Sequence, residues 1–430
     1  MRVLFTTLAH RTHFYPLVPL AWAFRAAGHE VRIASEPALT DDITRTGLTA
    51  VPIEAPEWSV TDPRDLALLR EFHEEGFVFV RDFDFAGADP ARWTWPNLLA
   101  LQHVMVPSHD AVMNNDGMLD QLTAFARHWR PDLVVWETYT IGGGVVARAV
   151  GAAHARFVAG PDVTMRVRRE FRRLRDEQHP AHREDPAAEW LAWSLDRLGA
   201  DGHFTEDLLT GQWTIDSTAP SVRLHPGHRT VGVRYVAHNG PAVVPGWLRE
   251  PPARPRVCLT FGVSEWVADF LRGEVLTDLL AALADLDVEV VATVTDAQRA
   301  TVTDVPANAR LIDFVPLNDL LPTCAVVVHH GGIGTKANAE LHGIPQVILG
   351  FGMDTEVMGA GLERLGTGLT MPMAELTGAA LRERVVRLLT EPSFRTAAGR
   401  LRDEMLAQPA PNDLVPVLER LTEENRGRYR

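Results

Sequence analysis

Two histidines at the mouth of a glycine turn are the residues best placed to do chemistry in this chain. The stretch Ala325–Leu349 reads AVVVHHGGIGTKANAELHGIPQVIL. A β-branched run, Ala325–Val328, ends in His329-His330-Gly331-Gly332, and a helical stretch follows from about Thr335 to Leu341. Gly343 sits where a helix end favours glycine, and Pro345–Leu349 reads as the next strand. This is one βαβ unit with its glycine turn at the carboxyl end of a parallel strand. Bare backbone N–H groups and the helix dipole there favour a phosphate or diphosphate. His330, Gly332, Gly334 and Thr335 form the expected anion cradle, with His330 donating to a phosphate oxygen and His329 free to face inward. The turn Thr260–Ser264, TFGVS, follows another strand, and Ser264 either closes the far side of the diphosphate or belongs to an ordinary turn. Asp354 follows Pro345–Leu349; its carboxylate either accepts hydrogen bonds from sugar hydroxyls or caps a helix.

A second group lies near the start of the chain. His13 follows the strand Val3–Phe5 and precedes the helix Leu17–Ala27, which ends at Gly28 before the strand Glu30–Ala34. A neutral imidazole in that crevice could take a proton from a hydroxyl; a loop histidine is also often merely exposed. Glu137 ends the apolar strand Pro131–Trp136 and could hold a histidine N–H, or else cap a helix. Metal motifs are unconvincing. Asp82-Phe83-Asp84 and Asp285-Leu286-Asp287 are matches that an acidic chain produces by chance, and His10 with His13 lacks partners at zinc spacing. No Walker lysine and no Gly-x-Ser-x-Gly elbow occur.

The elements that must position these groups form two α/β halves. Leu48–Val51 continues the first, and Met118–Arg127 and Ile141–Val150 follow an irregular aromatic and acidic stretch from about Glu54 to Asp116. The stretch Met165–Arg175, MRVRREFRRLR, is a basic helix, either a solvated face or a contact for an anion or a partner. A proline-rich segment, 237–255, reads as the linker. Strand and helix patterns then resume with Arg256–Phe261, Leu276–Leu286, Val288–Val294 and Arg310–Phe314, and Val415–Glu424 is helical. The expected division is 1–236, 237–255, 256–410, and a terminal helix in 411–430 packing back on the first domain.

The 430 residues suit about two domains. A net charge of −14 disfavours nucleic acid as partner and leaves a homodimer open. Cys258 and Cys324 form neither a disulfide framework nor a metal-type pair, which points to the cytoplasm. The opening MRVLFTTLAH reads as a strand rather than a signal peptide, and no apolar run is long enough to span a bilayer.

On these residues the chain resembles the nucleotide-sugar glycosyltransferases of the GT-B type, two Rossmann-like α/β domains facing across a cleft. More narrowly, it is similar to actinobacterial antibiotic glycosyltransferases of the erythromycin desosaminyltransferase group. The resemblance covers nearly the whole chain. It is carried by LVPLAWAFRAAGHEVR (Leu17–Arg32), RPDLVVWE (Arg130–Glu137), HREDPAAEWLAW (His182–Trp193), GQWTID (Gly211–Asp216), YVAHNGPAVVPGWL (Tyr235–Leu248) and DFVPLNDLLPTC (Asp313–Cys324) with the His-His-Gly-Gly turn.

The resemblance implies an inverting transfer of a deoxysugar from a TDP-sugar co-substrate to a large apolar polyketide acceptor, with no other cofactor and no metal. It implies His13 as general base with Glu137 as its carboxylate partner, although more distant members use Asp at that place. Ser264, His330, Gly332, Gly334 and Thr335 would meet the diphosphate, Phe314 and Val315 the nucleobase, and Asp354 and Thr355 the sugar. Relatives often carry Trp-Asp-Thr where this chain has Met353-Asp354-Thr355, a departure that bears on which sugar is bound. Phe77, Phe79, Trp136 and Tyr139 would meet the acceptor. Members of this group also use an auxiliary protein resembling a haem-less cytochrome P450, which would dock on Arg166–Arg175 or on Phe72–Trp95. A nucleotide-sugar epimerase and a non-catalytic biosynthetic partner are the competing readings.

Overall fold

The computed structural model describes residues 1–54, 59, 62–65, 67, 93–224, 227–262, 273–350 and 354–428. The chain divides into two compact units: Met1–Thr218 with Arg223–His238 and Pro409–Arg430, and Ala219–Val222 with Asn239–Gln408.

The first unit is built on a parallel sheet: β1 (Arg2–Thr6), β2 (Glu30–Ser35), β3 (Ala50–Pro52), β4 (Leu133–Glu137), β5 (Ala153–Val158), β6 (Trp213–Asp216) and β7 (Thr230–Gly232). Their order is β3-β2-β1-β4-β5-β6-β7, so the topology reverses between β1 and β4. Side chains alternate across the sheet with a period of two. Val3, Phe5, Leu133 and Val135 face a core shared with the helix Val18–Ala26 and the terminal helix Pro411–Asn425. Leu4, Val134 and Trp136 face the other core, under the helices Asp116–Trp129, Gly142–Val150 and Pro186–Arg197. Glu137 shares the parity of Leu133 and Val135, which aims it toward the face that carries Phe14 and Leu17.

The terminal helix contributes Leu414, Val415, Leu418 and Leu421 to the first core. Arg234 N–H donates to the Pro409 carbonyl at 2.8 Å and joins the helix entry to the same unit. The helix after β1 starts later than its pattern predicts. Pro16 supports a single tight turn, Tyr15–Leu17, before the regular helix begins at Val18. Gly28, at φ +88°, ends that helix where the sequence places the stop.

The second unit holds β8 (Arg256–Thr260), β9 (Glu289–Thr293), β10 (Ala309–Ile312), β11 (Cys324–His329), β12 (Gln346–Gly350) and β13 (Gly368–Pro372). The order is β10-β9-β8-β11-β12-β13, again parallel, and the reversal falls between β8 and β11. Of the segment read as a linker, the part from Asn239 onward belongs to this unit and carries one short turn, Gly246–Arg249. Leu248 is buried with Val315, Leu320 and Leu321, and Trp247 lies under the guanidinium groups of Arg256 and Arg310. Cys258 and Cys324 are free and buried. Among the described residues, no helix is long and apolar enough to cross a membrane.

Candidate active site

Each sheet offers one switch point, and the two histidine groups sit at the carboxyl ends of the strands that bracket it. In the first unit, β1 runs into the loop Thr7–His10 and the short helix Arg11–Phe14. His10 caps that helix: its ring accepts from the Thr12 N–H, so it has a local structural task. Phe14, fully buried, anchors the turn, and His13 stays partly exposed beside it.

His13 Nδ1 lies 3.1 Å from Glu137 Oε2. The carboxylate is buried and accepts two more hydrogen bonds, from Leu8 N–H to Oε1 at 3.2 Å and from Tyr139 N–H to Oε2 at 3.1 Å. Both backbone donors suit an ionised carboxylate, which then accepts the Nδ1 proton of the imidazole. That tautomer leaves the lone pair on Nε2. A histidine so held can accept a proton at Nε2, and the carboxylate stabilises the imidazolium that results.

In the second unit, β11 ends at His329 and the glycine turn follows. His329 is fully buried; its Nε2 donates to Gln346 Oε1 at 2.9 Å and its Nδ1 accepts from Gly331 N–H at 3.1 Å. Burial pushes its pKa down to about 3. His329 is therefore a neutral brace for the turn. Gly331 has φ +87°, and a Cβ there would fall 2.7 Å from the Thr355 methyl, so only glycine fits.

His330 points the other way. Its ring lies across the backbone of Gly262 and Gly332: a Cβ on either would come within 2.4 Å and 2.7 Å of ring atoms. The imidazole thus spans the turns after β8 and β11. Burial pushes its pKa down to about 4, against a smaller opposing effect of the Thr260 backbone. At neutral pH His330 is a hydrogen-bonding group rather than a cation. The helix Ile333–Leu341 begins beside it, with Gly332 as an N-cap that supplies no side-chain hydrogen bond. Its first N–H groups, toward Gly334 and Thr335, are those that an anion can satisfy. Lys336 is no part of this cradle, since it is buried in an ion pair with Glu340 one turn on.

The other expected contacts distribute unevenly. Phe314 follows β10 and is half exposed, while Val315 is buried in the core. Asp354 opens the helix Asp354–Leu365, and burial raises its pKa. Thr355 packs under Gly331. Phe77, Phe79, Ser264 and Met353 lie outside the described residues. Trp136 is a correction: it has no exposed surface and its indole N–H donates to His154 at 3.4 Å, so it belongs to the core and cannot line an acceptor surface. Pairing of β4 with β1 and β5 on both sides sinks it, and that pairing is invisible in the local pattern.

The basic helix, Val163–Asp176, is also spent internally. Arg168 forms a bidentate pair with buried Asp185 and also reaches Glu206; Arg172 pairs with Glu206, Arg173 with Glu170 and Glu177, and Arg175 with Asp185. Arg166 covers the ring of Trp93, and Trp95 packs on Phe171. Asp285 and Asp287 are engaged by Arg382 and Arg254.

Two family models cover most of the chain. The erythromycin biosynthesis protein CIII-like N-terminal domain matches residues 22–262, and the C-terminal domain of the same family matches residues 277–421. The chain is 50% identical over 432 residues to 10-deoxymethynolide desosaminyltransferase of Streptomyces venezuelae, with 99% of this chain and 98% of that protein covered. It is 46% identical over 422 residues to 3-alpha-mycarosylerythronolide B desosaminyl transferase of Saccharopolyspora erythraea, with 98% of each covered. Among solved structures, glycosyltransferase VinC in complex with DTDP matches with a TM-score of 0.87 at 38% identity, covering 99% of this chain and 100% of that one. Two parallel α/β units with these relatives make the architecture GT-B, and the chain is a glycosyltransferase of the erythromycin biosynthesis protein CIII-like family.

Proposed function

We propose that this enzyme transfers a deoxysugar, with inversion and without a metal, from a TDP-sugar to a hydroxyl of a polyketide aglycone in antibiotic biosynthesis. The observation that carries the reading is the His13–Glu137 pair, a base oriented by a buried carboxylate at the switch point of the first unit. The names of its relatives, a 10-deoxymethynolide desosaminyltransferase and a 3-alpha-mycarosylerythronolide B desosaminyl transferase, support the substrate class. They are named as transferases, which speaks against the epimerase and the non-catalytic alternatives.

In the proposed step, His13 Nε2 takes the proton of the acceptor hydroxyl while its oxygen bonds to the anomeric carbon. The bond from that carbon to the diphosphate oxygen breaks, and its electron pair leaves with TDP. The transition state has oxocarbenium character. Charge growing on the diphosphate is met by His330 and by the N-terminal N–H groups of the helix Ile333–Leu341. Those neutral donors do the work that a divalent cation does elsewhere. Glu137 holds the imidazolium until the proton passes to solvent. Phe314 stacks on the base of the nucleotide, and Asp354 with Thr355 meets the sugar. An auxiliary protein of the kind that the resemblance implies would find Arg169, Arg172 and Arg173 exposed on Val163–Asp176, each paired with a nearby carboxylate, and Arg168 buried.

The test is product analysis with a TDP-deoxysugar, a macrolide aglycone and excess EDTA, with and without a P450-like auxiliary. A glycoside with the anomeric configuration opposite to the donor's is expected. Retained configuration, or turnover abolished by EDTA and restored by a divalent cation, would sink the mechanism. An isomerised sugar nucleotide from donor alone would restore the epimerase.

A further inference from the structure

The turn after β4 carries an aromatic that touches both members of the proposed dyad. The Tyr139 ring lies against His13, with centroids 5.0 Å apart and planes tilted by 44°. Its main-chain N–H donates to Glu137 Oε2, the same oxygen that meets His13 Nδ1. The ring also packs against His109, centroids 4.9 Å apart at 69°. His109 belongs to a π-helical turn, Val106–Asp110, in which Ala111 N–H reaches back to the Val106 carbonyl. Such turns insert a residue at a cost in helix geometry and recur at functional sites.

A hydrogen-bonding side chain also ties this turn to Tyr139. Asn114, 1% exposed, donates from Nδ2 to the Asp110 carbonyl at 2.8 Å and to the Tyr139 carbonyl at 2.9 Å. Its Oδ1 accepts from Gly142 N–H at 2.8 Å. Three main-chain groups on two segments are thereby held by one buried amide. Thr140, next to Tyr139, is fixed from beneath by Thr6 at the end of β1.

We propose that Tyr139 is a positioning residue for His13, and that Asn114 clamps it in place. A hydrogen bond at Nδ1 fixes the direction of one N–H but leaves the tilt of the imidazole soft, because its χ2 well is broad. A ring packed against that imidazole narrows the tilt and so aims Nε2 at the acceptor hydroxyl. The proposal rests on the reading of His13 as general base.

The experiment is a double-mutant cycle on the full-length enzyme, with kcat and donor KM measured for Tyr139→Leu, His13→Ala and the double variant. Tyr139→Leu is expected to lower kcat about 10- to 100-fold at unchanged donor KM, the scale of a misplacement near 1 Å. Tyr139→Phe, which keeps the ring, recovers the rate to within about threefold. In the His13→Ala background, Tyr139→Leu costs nothing further, because the residue acts through His13. The same loss in both backgrounds, or a rise in acceptor KM at constant kcat, makes Tyr139 an independent acceptor contact and overturns the proposal. Wild-type turnover in His13→Ala is a separate failure, that of the base assignment itself. Asn114→Asp keeps the acceptor for Gly142 but loses both donated bonds. It reproduces the kcat loss, and an unchanged kcat in a folded Asn114→Asp removes the clamp.

Discussion

Replacing Glu137 by glutamine changes one atom and isolates the electrostatic part of the dyad. Three donors converge on this carboxylate: Leu8 N–H, Tyr139 N–H and His13 Nδ1. An amide has one acceptor oxygen, so its NH2 must face either the Leu8 N–H or the pair formed by Tyr139 and His13. In the second arrangement His13 becomes an acceptor at Nδ1 and its proton moves to Nε2, where the lone pair is needed. In the first, the tautomer survives but the imidazolium loses its counter-charge. At the observed 3.1 Å and an effective dielectric near 20, that attraction is about 5 kcal/mol. His13 keeps 26% of its side chain exposed, and solvent reduces the figure to about 3–5 kcal/mol. Glu137→Gln should therefore lower kcat about 10²- to 10⁴-fold. The assay is steady-state turnover at saturating donor, beside calorimetric binding of TDP to the same preparation. Binding should be unchanged, because Glu137 belongs to the first unit and the diphosphate turn to the second. A folded variant with kcat within about threefold of wild type would refute the dyad.

His330→Ala should show the opposite split, with TDP affinity falling about 10- to 100-fold, the worth of one hydrogen bond to a charged group; unchanged affinity by calorimetry would remove His330 from the cradle. Acid should destabilise the fold in part through the buried histidines of the glycine turn. Folding lowers His329 to about 3 and His330 to about 4, so the unfolded chain binds more protons below pH 6.5. Their contribution is complete above pH 6.5 and shrinks as pH falls toward those values, by about 1.4 kcal/mol per pH unit for each. Urea unfolding at pH 7.5, 6 and 5 checks this, with His329→Leu expected to flatten the dependence by about one proton; an identical slope would contradict it.

Much of the second unit was legible because its signals are local. The β-branched run, the glycines and the terminal Gly343 of one βαβ element lie within a short stretch, and β11, the helix Ile333–Leu341 and β12 stand where that pattern puts them. Strand β5, AHARFV, was not legible. It carries His154 and Arg156, polar side chains that read against a buried strand until Trp136 and Asp162 arrive as partners. The basic helix forms where its pattern puts it, but the burial of Arg168 had no local signal, since Asp185 and Glu206, which pair with it, come from later in the chain. His13 and Glu137 could be named from the sequence, but their meeting depends on the pairing of β1 with β4, which aligns Thr6 with Trp136. Tyr139 was named only as an acceptor contact, by resemblance, and Asn114 had no signal of its own. A tyrosine and an asparagine in loops acquire meaning only from the rings and carbonyls beside them.

The terminal helix has a consequence for how the protein is made. Ribosomal synthesis delivers every strand of the first sheet before any strand of the second, yet the core under the first sheet stays open until Leu414, Val415, Leu418 and Leu421 emerge. Burying four such side chains contributes about 1.5–3 kcal/mol each, a sum comparable with the whole stability of a domain. The half that is translated first is thus completed last, and a nascent chain must carry an uncovered apolar face for the time that the intervening half takes to be translated. A truncation that removes the helix Pro411–Asn425 would open the core beneath strands that lie far from it in sequence.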